Sequence, residues 1–122
     1  MSTTDKNKAS VARLFDAFRS GDTAAFDHLI SPNYVQHNPQ AGNGRNAVKE
    51  FFAGIGPVDV EVHRVVAEGD LVAVHSNYRT FNMAGVDIFR FNETGEIVEH
   101  WDVLQPIPET TTSGNDMFSQ LS

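Results

Sequence analysis

The sequence predicts an α+β domain in which helices come first and an antiparallel sheet follows. In residues 1–57, apolar residues recur at helical spacing between glycine and proline breaks. From Val58 onward, apolar and polar residues alternate with the period of two that strands show. The chain has 122 residues, which fits one domain around one core. We therefore expect a single domain over 1–122, with 1–5 and 109–122 loose or extended.

Two helices are predicted before the first proline. The first begins after a cap at Thr4 or Asp5. Its apolar stripe follows the spacing i, i+3, i+4 and i+7 through Val11, Leu14, Phe15 and Phe18. Gly21 ends this helix as a C′ glycine. Asp22 then caps a second, short helix that stops at Pro32.

A short strand and a third helix precede the sheet. Residues 33–38 read as a strand closed by proline, and a glycine-rich loop separates it from a helix over about 46–53. Turn residues then divide the alternating region into four strands at 58–66, 71–79, 86–91 and 97–105. Consecutive strands of this kind form a meander that curls over the helices. We expect a cavity between the sheet and the helices.

The last strand carries the most unusual pattern. Alternation places four residues on one face: Val98, His100, Asp102 and Leu104. It places five on the other: Ile97, Glu99, Trp101, Val103 and Gln105. An imidazole and a carboxylate therefore lie two residues apart among aliphatic neighbours. This pattern predicts that the face either lines a pocket or is exposed to solvent.

Composition excludes several classes of function. The net charge is −7 and no basic run exists, so we expect neither nucleic acid nor an anionic membrane surface as a partner. The chain has no cysteine, which excludes disulfides, thiolate catalysis and cysteine zinc sites. It shows no signal-peptide pattern and no apolar run of membrane-spanning length. These features predict a cytoplasmic protein.

Three blocks point to a known family: His-Asn-Pro at 37–39, Asp-Ile-Phe-Arg at 87–90, and Glu-His-Trp-Asp-Val-Leu-Gln-Pro at 99–106. Each block is weak alone, but their order and spacing are specific. From about Lys8 to Phe118, the chain resembles the SnoaL-like polyketide cyclase family of the NTF2-like superfamily. The resemblance implies a cone-shaped barrel, in which a curved antiparallel sheet wraps three N-terminal helices around a deep apolar pocket.

The resemblance also implies chemistry and assembly. Cyclases of this family close a ring by intramolecular aldol condensation, with an Asp on the last strands as acid/base. That role carries over to Asp102, with His100 beside it. Superfamily relatives include a ketosteroid isomerase, scytalone dehydratase and limonene epoxide hydrolase, so isomerisation and dehydration are implied as well. No metal or organic cofactor is implied, and a homodimer through the convex sheet face is.

Asp102, His100 and His37 are the candidate catalytic residues. A carboxylate in an apolar pocket loses hydration, which disfavours its charged form and suits Asp102 to removing a proton α to a carbonyl. The alternative is a strand Asp that faces solvent. His100 either polarises the carbonyl and returns the proton or only orients Asp102. His37 lies at the mouth of the glycine-rich loop, with Tyr34 as a pocket wall, while Asn38 reads as a turn residue.

Four further residues are candidates for substrate binding: His75, Asn77, Asp87 and Phe89. His75 and Asn77 share one face of their strand, and either face can be the inner one. Asp87 and Phe89 share a face, with Asp87 as a second carboxylate or the partner of a histidine. On the opposite face, Arg90 is expected to pair with Glu99 across the hairpin.

Two functions remain open at this point. One is a cofactor-free enzyme for aldol-type cyclisation, isomerisation or dehydration of a small apolar carbonyl compound. The other is a non-catalytic module that uses the pocket to hold a ligand or the sheet to dimerise. Metal binding has no support from ligand spacing, because no His-x-His or His-x-x-x-His pair occurs. The row of Ile97, Trp101 and Val103 is expected to pack against a second subunit.

Overall fold

The computed structural model describes residues 2–121. Its helical segments are α1 (Thr3–Ser20), a 3-10 helix (Thr23–His28), α2 (Arg45–Ile55) and a 3-10 turn (Arg79–Phe81). Its strands are β1 (Ile30–Gln36), β2 (Val60–Glu68), β3 (Leu71–Tyr78), β4 (Met83–Phe91) and β5 (Ile97–Pro106). None of the helices in residues 2–121 is long and apolar enough to cross a membrane. The predicted α+β class is confirmed.

The five strands form one curved, open sheet in the order β1-β5-β4-β3-β2. The long strands β2 to β5 pair antiparallel, as predicted. β1 joins the free edge of β5 and runs parallel to it, so the sheet is mixed. A parallel neighbour requires a long crossover connection, and the chain between β1 and β5 supplies one. The short predicted strand is therefore an edge of the main sheet and carries residues onto its concave side.

Helix α1 packs its apolar stripe onto the sheet. It begins at Thr3, earlier than predicted, because the Ser2 hydroxyl accepts the backbone N–H of Asp5 as an N-cap. Gly21 ends the helix in the left-handed region at φ 78°, where glycine is favoured. The predicted stripe is buried throughout: Val11, Leu14, Phe15 and Phe18. Burial of each such side chain contributes about 1.5–3 kcal/mol.

Aromatic rings join the helices to the sheet. Phe15 of α1 meets Phe89 of β4 edge to face, at 6.2 Å between ring centres. Phe18 stacks on Phe52 of α2 at 4.4 Å, and Phe26 of the 3-10 helix packs against both. No residue of α2 is fully buried. This helix therefore covers the concave face of the sheet only in part, and a cavity lies beneath it.

The predicted faces of β5 need one correction, at Ile97. The pairing of β4 with β5 shifts between Arg90, which lies opposite Glu99, and Phe91, which lies opposite Ile97. One extra residue of β5 stands in this bulge, so the alternation changes phase there. Ile97 is consequently fully buried on the concave side and does not belong to the outer row with Trp101.

The C-terminal segment lies against the outer face of the sheet. In the described part, 109–121 contains neither helix nor strand. Phe118 stacks on His63 at 4.7 Å and on His75 at 5.5 Å between ring centres. Asp116 accepts hydrogen bonds from the Ser119 hydroxyl and the Ser119 and Phe118 backbone, which hold its pKa at about 2. The segment therefore has a defined packing position on β2 and β3.

Candidate functional site

A cavity of about 400 Å³ lies between the concave face of the sheet and helices α1 and α2. Its volume is in the range that holds a small organic ligand. The walls are mostly aliphatic and aromatic, with Phe51 and Phe81 half exposed at its edge. Besides Gln40, seven polar residues line it: Tyr34, Gln36, Asn38, Tyr78, Asp87, His100 and Asp102. These seven form two hydrogen-bonded groups that meet at His100 and Asp102.

His100 stands at the centre of the first group. It lies on β5 beside Phe89 of β4, whose ring centre is 4.9 Å away, and it is buried. Its Nε2 lies 2.8 Å from Oδ1 of Asp87, which is 3% exposed. Its Nδ1 lies 2.7 Å from Oε1 of Gln36 at the end of β1. Both ring nitrogens are thus held, and the imidazole has a single orientation.

Tyr78 completes this group by donating its hydroxyl to Oδ2 of Asp87. The ring reaches that position because residue 85 is glycine: a Cβ there would lie 3.0 Å from Tyr78 Cε2 and 2.7 Å from Leu104 Cδ2. Burial raises the pKa of the Tyr78 hydroxyl well above its ordinary value, and the charge and hydrogen bond of Asp87 add to the effect. Tyr78 therefore remains a donor to Asp87.

Both tyrosines of the chain are expected to titrate abnormally, which an absorbance measurement checks. Burial also raises the pKa of Tyr34. In native protein we expect no tyrosinate absorbance near 295 nm at about pH 10.5, whereas urea-unfolded chains show ionisation around the ordinary value of ~10. Because the folded pKa values are raised, the tyrosines stabilise the fold fully below about pH 10, and this stability declines as pH rises further. A normal native titration would contradict the burial of both hydroxyls.

Asp102 belongs to the second group. Its side chain is 10% exposed, and its two oxygens lie 3.0 and 2.8 Å from Nδ2 of Asn38. The Gln40 backbone N–H donates to Asn38 Oδ1 at 2.8 Å, which fixes the amide with its NH₂ toward Asp102. Asp102 Oδ2 lies 3.9 Å from Nε2 of His100. The structure thus brings two carboxylates and one imidazole together in an apolar cavity.

His37 lies outside the cavity, contrary to the prediction. Its Nε2 donates to Glu99 at 2.7 Å, and its ring stacks on Trp101 at 5.1 Å on the outer face of the sheet. Arg90 Nε also donates to Glu99, at 2.8 Å, so the predicted Arg90–Glu99 pair is confirmed. The hydrogen bonds from His37 and Arg90 lower the pKa of Glu99. His37 is part of this outer network and is not among the residues that line the cavity.

His75 and Asn77 also face outward, so their predicted place in the pocket is wrong. Val74, Ser76 and Tyr78 of the same strand point to the concave side, and alternation sends His75 and Asn77 to the other. His75 lies under Phe118, and its Nδ1 is 3.1 Å from Arg64 Nη1. Partial burial, followed by the charges of Arg64 and His63, lowers its pKa. The other five candidates line the cavity: Tyr34, Asp87, Phe89, His100 and Asp102.

Gln36, Asn38 and Tyr78 are site residues that the sequence reasoning missed. The sequence predicts Asn38 as a turn residue, and it does accept the backbone N–H of Gln40 as such residues do. The available signal was the period of two along β1. Because Tyr34 faces the pocket, Gln36 and Asn38 must face it too, and His37 must face away.

One group of three possible metal ligands occurs within residues 2–121. Single ligand atoms of Asp87, His100 and Asp102 lie within 4.8 Å of one another. A metal ion there would take the His100 Nε2 lone pair and so displace the hydrogen bond to Asp87.

Comparison with known proteins agrees with this architecture. The SnoaL-like domain profile matches residues 11–100. The chain belongs to the SnoaL-like family. This SnoaL-like chain is also similar to a steroid Delta-isomerase of Nocardioides simplex, with 26% identity over 117 residues, 93% of this chain and 85% of the relative.

Solved structures share the fold at low sequence identity. An NTF2-like protein from Burkholderia xenovorans LB400 has a TM-score of 0.77 at 20% identity and covers 97% of each chain. A steroid delta-isomerase from Pseudomonas aeruginosa has a TM-score of 0.67 at 24% identity, over 89% of this chain and 82% of that one. An LEH-like epoxide hydrolase of M. tuberculosis has a TM-score of 0.71 at 16% identity, over 85% and 86%. The NTF2-like fold predicted for the SnoaL-like chain is confirmed.

Proposed function

We propose that the SnoaL-like chain is a cofactor-free acid–base enzyme for a small apolar carbonyl compound. The reaction is an aldol-type cyclisation, an isomerisation or a dehydration, all of which pass through an enol or enolate. One observation carries the proposal: the Asp102 carboxylate faces the hydrogen-bonded His100–Asp87 pair at 3.9 Å inside an apolar cavity. Similarity to a protein named steroid Delta-isomerase supports the isomerase class.

The geometry assigns the base to Asp102. Asn38 donates to both of its oxygens, which fixes the orientation of the carboxylate within the cavity. Such a carboxylate removes a proton from the carbon α to a ketone or ester, and the electron pair moves onto the carbonyl oxygen. The mostly apolar walls of the cavity strengthen this step, because charges interact more strongly at low dielectric.

The acid is the His100–Asp87 pair. His100 Nε2 and Asp87 Oδ1 lie 2.8 Å apart, and the hydrogen bond between them requires one proton. When the substrate carbonyl lies beside Nε2, that proton stabilises the developing oxyanion by hydrogen bonding. Asp102 then returns the abstracted proton to another carbon in an isomerisation, to the new alkoxide in an aldol cyclisation, or to a leaving hydroxyl in a dehydration. Acid and base thus act on one substrate from neighbouring positions on β5.

Proton exchange in D₂O tests the proposal without knowledge of the natural substrate. Apolar cyclic ketones of graded size, such as a cyclohexanone, a tetralone and a decalone, are incubated with the protein and followed by ¹H NMR. We expect loss of the α-proton signals at a rate proportional to protein concentration and above that of buffer. Ketones that bind by saturation-transfer NMR but do not exchange would show a binding module and reject the enzymatic proposal.

We also propose that the protein is a homodimer through the outer face of β4 and β5. Val86 and Val103 lie opposite each other on these strands and are 39% and 74% exposed, next to the half-buried Trp101. Adjacent exposed apolar side chains of this kind favour burial against a partner. The C-terminal segment already covers part of β2 and β3 through Phe118, which leaves β4 and β5 for the interface.

Val103→Asp is expected to convert this dimer into a monomer, because it would bury an unpaired charge in the interface. Sedimentation velocity at micromolar concentration measures the change. Val66→Asp is the matched control: Val66 is 66% exposed on β2, so this variant should remain dimeric. A wild type that sediments as a monomer at the same concentration would refute the interface.

A further inference from the structure

Gln36 is the residue that decides which nitrogen of His100 carries a proton. Its side-chain oxygen Oε1 lies 2.7 Å from His100 Nδ1 and also accepts the backbone N–H of Asn38 at 3.0 Å. Its nitrogen Nε2 donates to the Tyr34 hydroxyl at 2.9 Å. Because a backbone N–H can only donate, the atom it contacts must be the amide oxygen. The amide of Gln36 therefore has one allowed orientation.

This orientation determines the state of Nδ1. An amide oxygen can only accept, so His100 Nδ1 must donate, and it must carry a hydrogen. On the other side of the ring, Nε2 faces Asp87 Oδ1 at 2.8 Å, where a bare nitrogen and a carboxylate would repel each other. A second proton must lie in that contact, on Nε2 or on Asp87.

The second oxygen of Asp87 does not offer the His100 Nδ1 hydrogen another acceptor. Tyr78 donates to Oδ2, and burial keeps the Tyr78 hydroxyl protonated. The other acidic group near His100 is Asp102, which Asn38 holds by both oxygens. Tyr34 packs on the imidazole from β1, at 6.3 Å between ring centres, and its hydroxyl accepts a hydrogen bond from Gln36. None of these groups replaces Gln36 as the acceptor of the Nδ1 hydrogen.

We propose that Gln36 is a positioning residue: its oxygen fixes a hydrogen at His100 Nδ1 and so retains a transferable proton between His100 Nε2 and Asp87. The proposal deepens the proposed function, on which its catalytic meaning rests. Without Gln36, His100 takes the neutral form in which Nε2–H donates to an ionised Asp87 and Nδ1 is bare. That form holds one proton fewer, and its Nε2–H belongs to a neutral imidazole beside an anionic carboxylate, which is a much weaker acid toward a substrate oxyanion.

Nitrogen-15 NMR of the histidine side chains tests the tautomer directly in the protein without ligand. The chain has five histidines, and the His100 signals are assigned by their loss in His100→Asn. Spectra are taken at about pH 8, above the ordinary imidazole pKa of ~6.5, so that a free histidine is neutral. Four proteins are compared: wild type, Gln36→Leu, Gln36→Glu and Gln105→Leu. Gln105 is exposed on β5 and serves as the control for an amide-to-leucine change.

We expect wild type, Gln36→Glu and Gln105→Leu to show a protonated Nδ1, because the glutamate retains an acceptor oxygen opposite that atom. Gln36→Leu is expected to show a bare Nδ1 and a protonated Nε2. A wild type with a bare Nδ1, or a Gln36→Leu spectrum identical to wild type, overturns the proposal. If Gln36→Leu does not fold, the wild-type and Gln36→Glu spectra decide.

Activity adds a separate readout. In serine proteases a histidine held in the wrong tautomer loses about 10⁴ in kcat. We therefore expect Gln36→Leu to slow ketone exchange by up to that factor, with ketone binding unchanged and with rescue in Gln36→Glu. The NMR result does not depend on any reaction. A protonated Nδ1 in a protein without exchange activity would reject the proposed function and leave the role of Gln36 in fixing the tautomer intact.

Discussion

Asp102→Asn is expected to slow α-proton exchange by about 10²–10⁴-fold, the usual contribution of a general base. The asparagine keeps the size of the side chain and still accepts from Asn38 through its oxygen, so the network around it retains its geometry. It cannot take up a proton. Exchange rates by ¹H NMR, together with circular dichroism and ketone binding, should show lost catalysis with the fold and affinity preserved.

Two further variants separate chemistry from structure. Asp22→Asn is the matched control, because Asp22 is exposed and its side chain makes no cap hydrogen bond, and it should exchange at the wild-type rate. Asp102→Ala leaves a space of carboxylate size beside Asn38, in which added formate can act as a base and restore part of the rate. Full activity in Asp102→Asn would remove Asp102 from the mechanism and leave Asp87 as the base to test.

The central strand of the site could be predicted because its alternation is local. His100, Asp102 and Leu104 all lie on the cavity, as the period of two along β5 requires. The same period predicted that Asp87 and Phe89 share a face. Knowledge of which face was inner came from the resemblance, since alternation alone leaves both faces equivalent.

The predicted faces of Ile97 and His75 were wrong because they depend on strand pairing and tertiary contacts, and not on the local alternation alone. Ile97 changed face because a bulge shifts the register of β5 against β4, and a bulge has no clear signature in this sequence. His75 was ambiguous because its strand carries aliphatic residues on both faces, and the His75 ring itself is covered by Phe118 from far along the chain. Such a covering contact depends on tertiary structure and is not visible in strand periodicity.

The error at His37 was of a different kind. Tyr34 and His37 were both placed in the pocket, although residues three apart on a strand face opposite sides. The alternation that identifies Gln36 and Asn38 as cavity residues also places His37 on the outer face. Amides are as necessary here as the ionisable groups, because each one orients an ionisable side chain: Gln36 orients His100, and Asn38 orients Asp102.

His100→Leu is expected to lower the free energy of unfolding by roughly 3–5 kcal/mol, the range for removal of one partner of a buried ion pair. The leucine leaves Asp87 in the core, 3% exposed, with Tyr78 as its remaining donor. Urea denaturation at neutral pH measures the loss. His28→Leu on the exposed end of the 3-10 helix is the control and should change stability by no more than about 0.5 kcal/mol.

The double variant His100→Leu/Asp87→Asn isolates the charge as the cause. Its amide still accepts from Tyr78, while the uncompensated carboxylate is gone. We expect it to recover more than half of the stability lost in His100→Leu, although it has neither partner of the pair. If the double variant is no more stable than His100→Leu, the loss comes from packing of the imidazole against Phe89 and Tyr34. Recovery would mean that the His100–Asp87 pair does not stabilise the core. The cavity would then retain this imidazole and carboxylate because of the proton that they share.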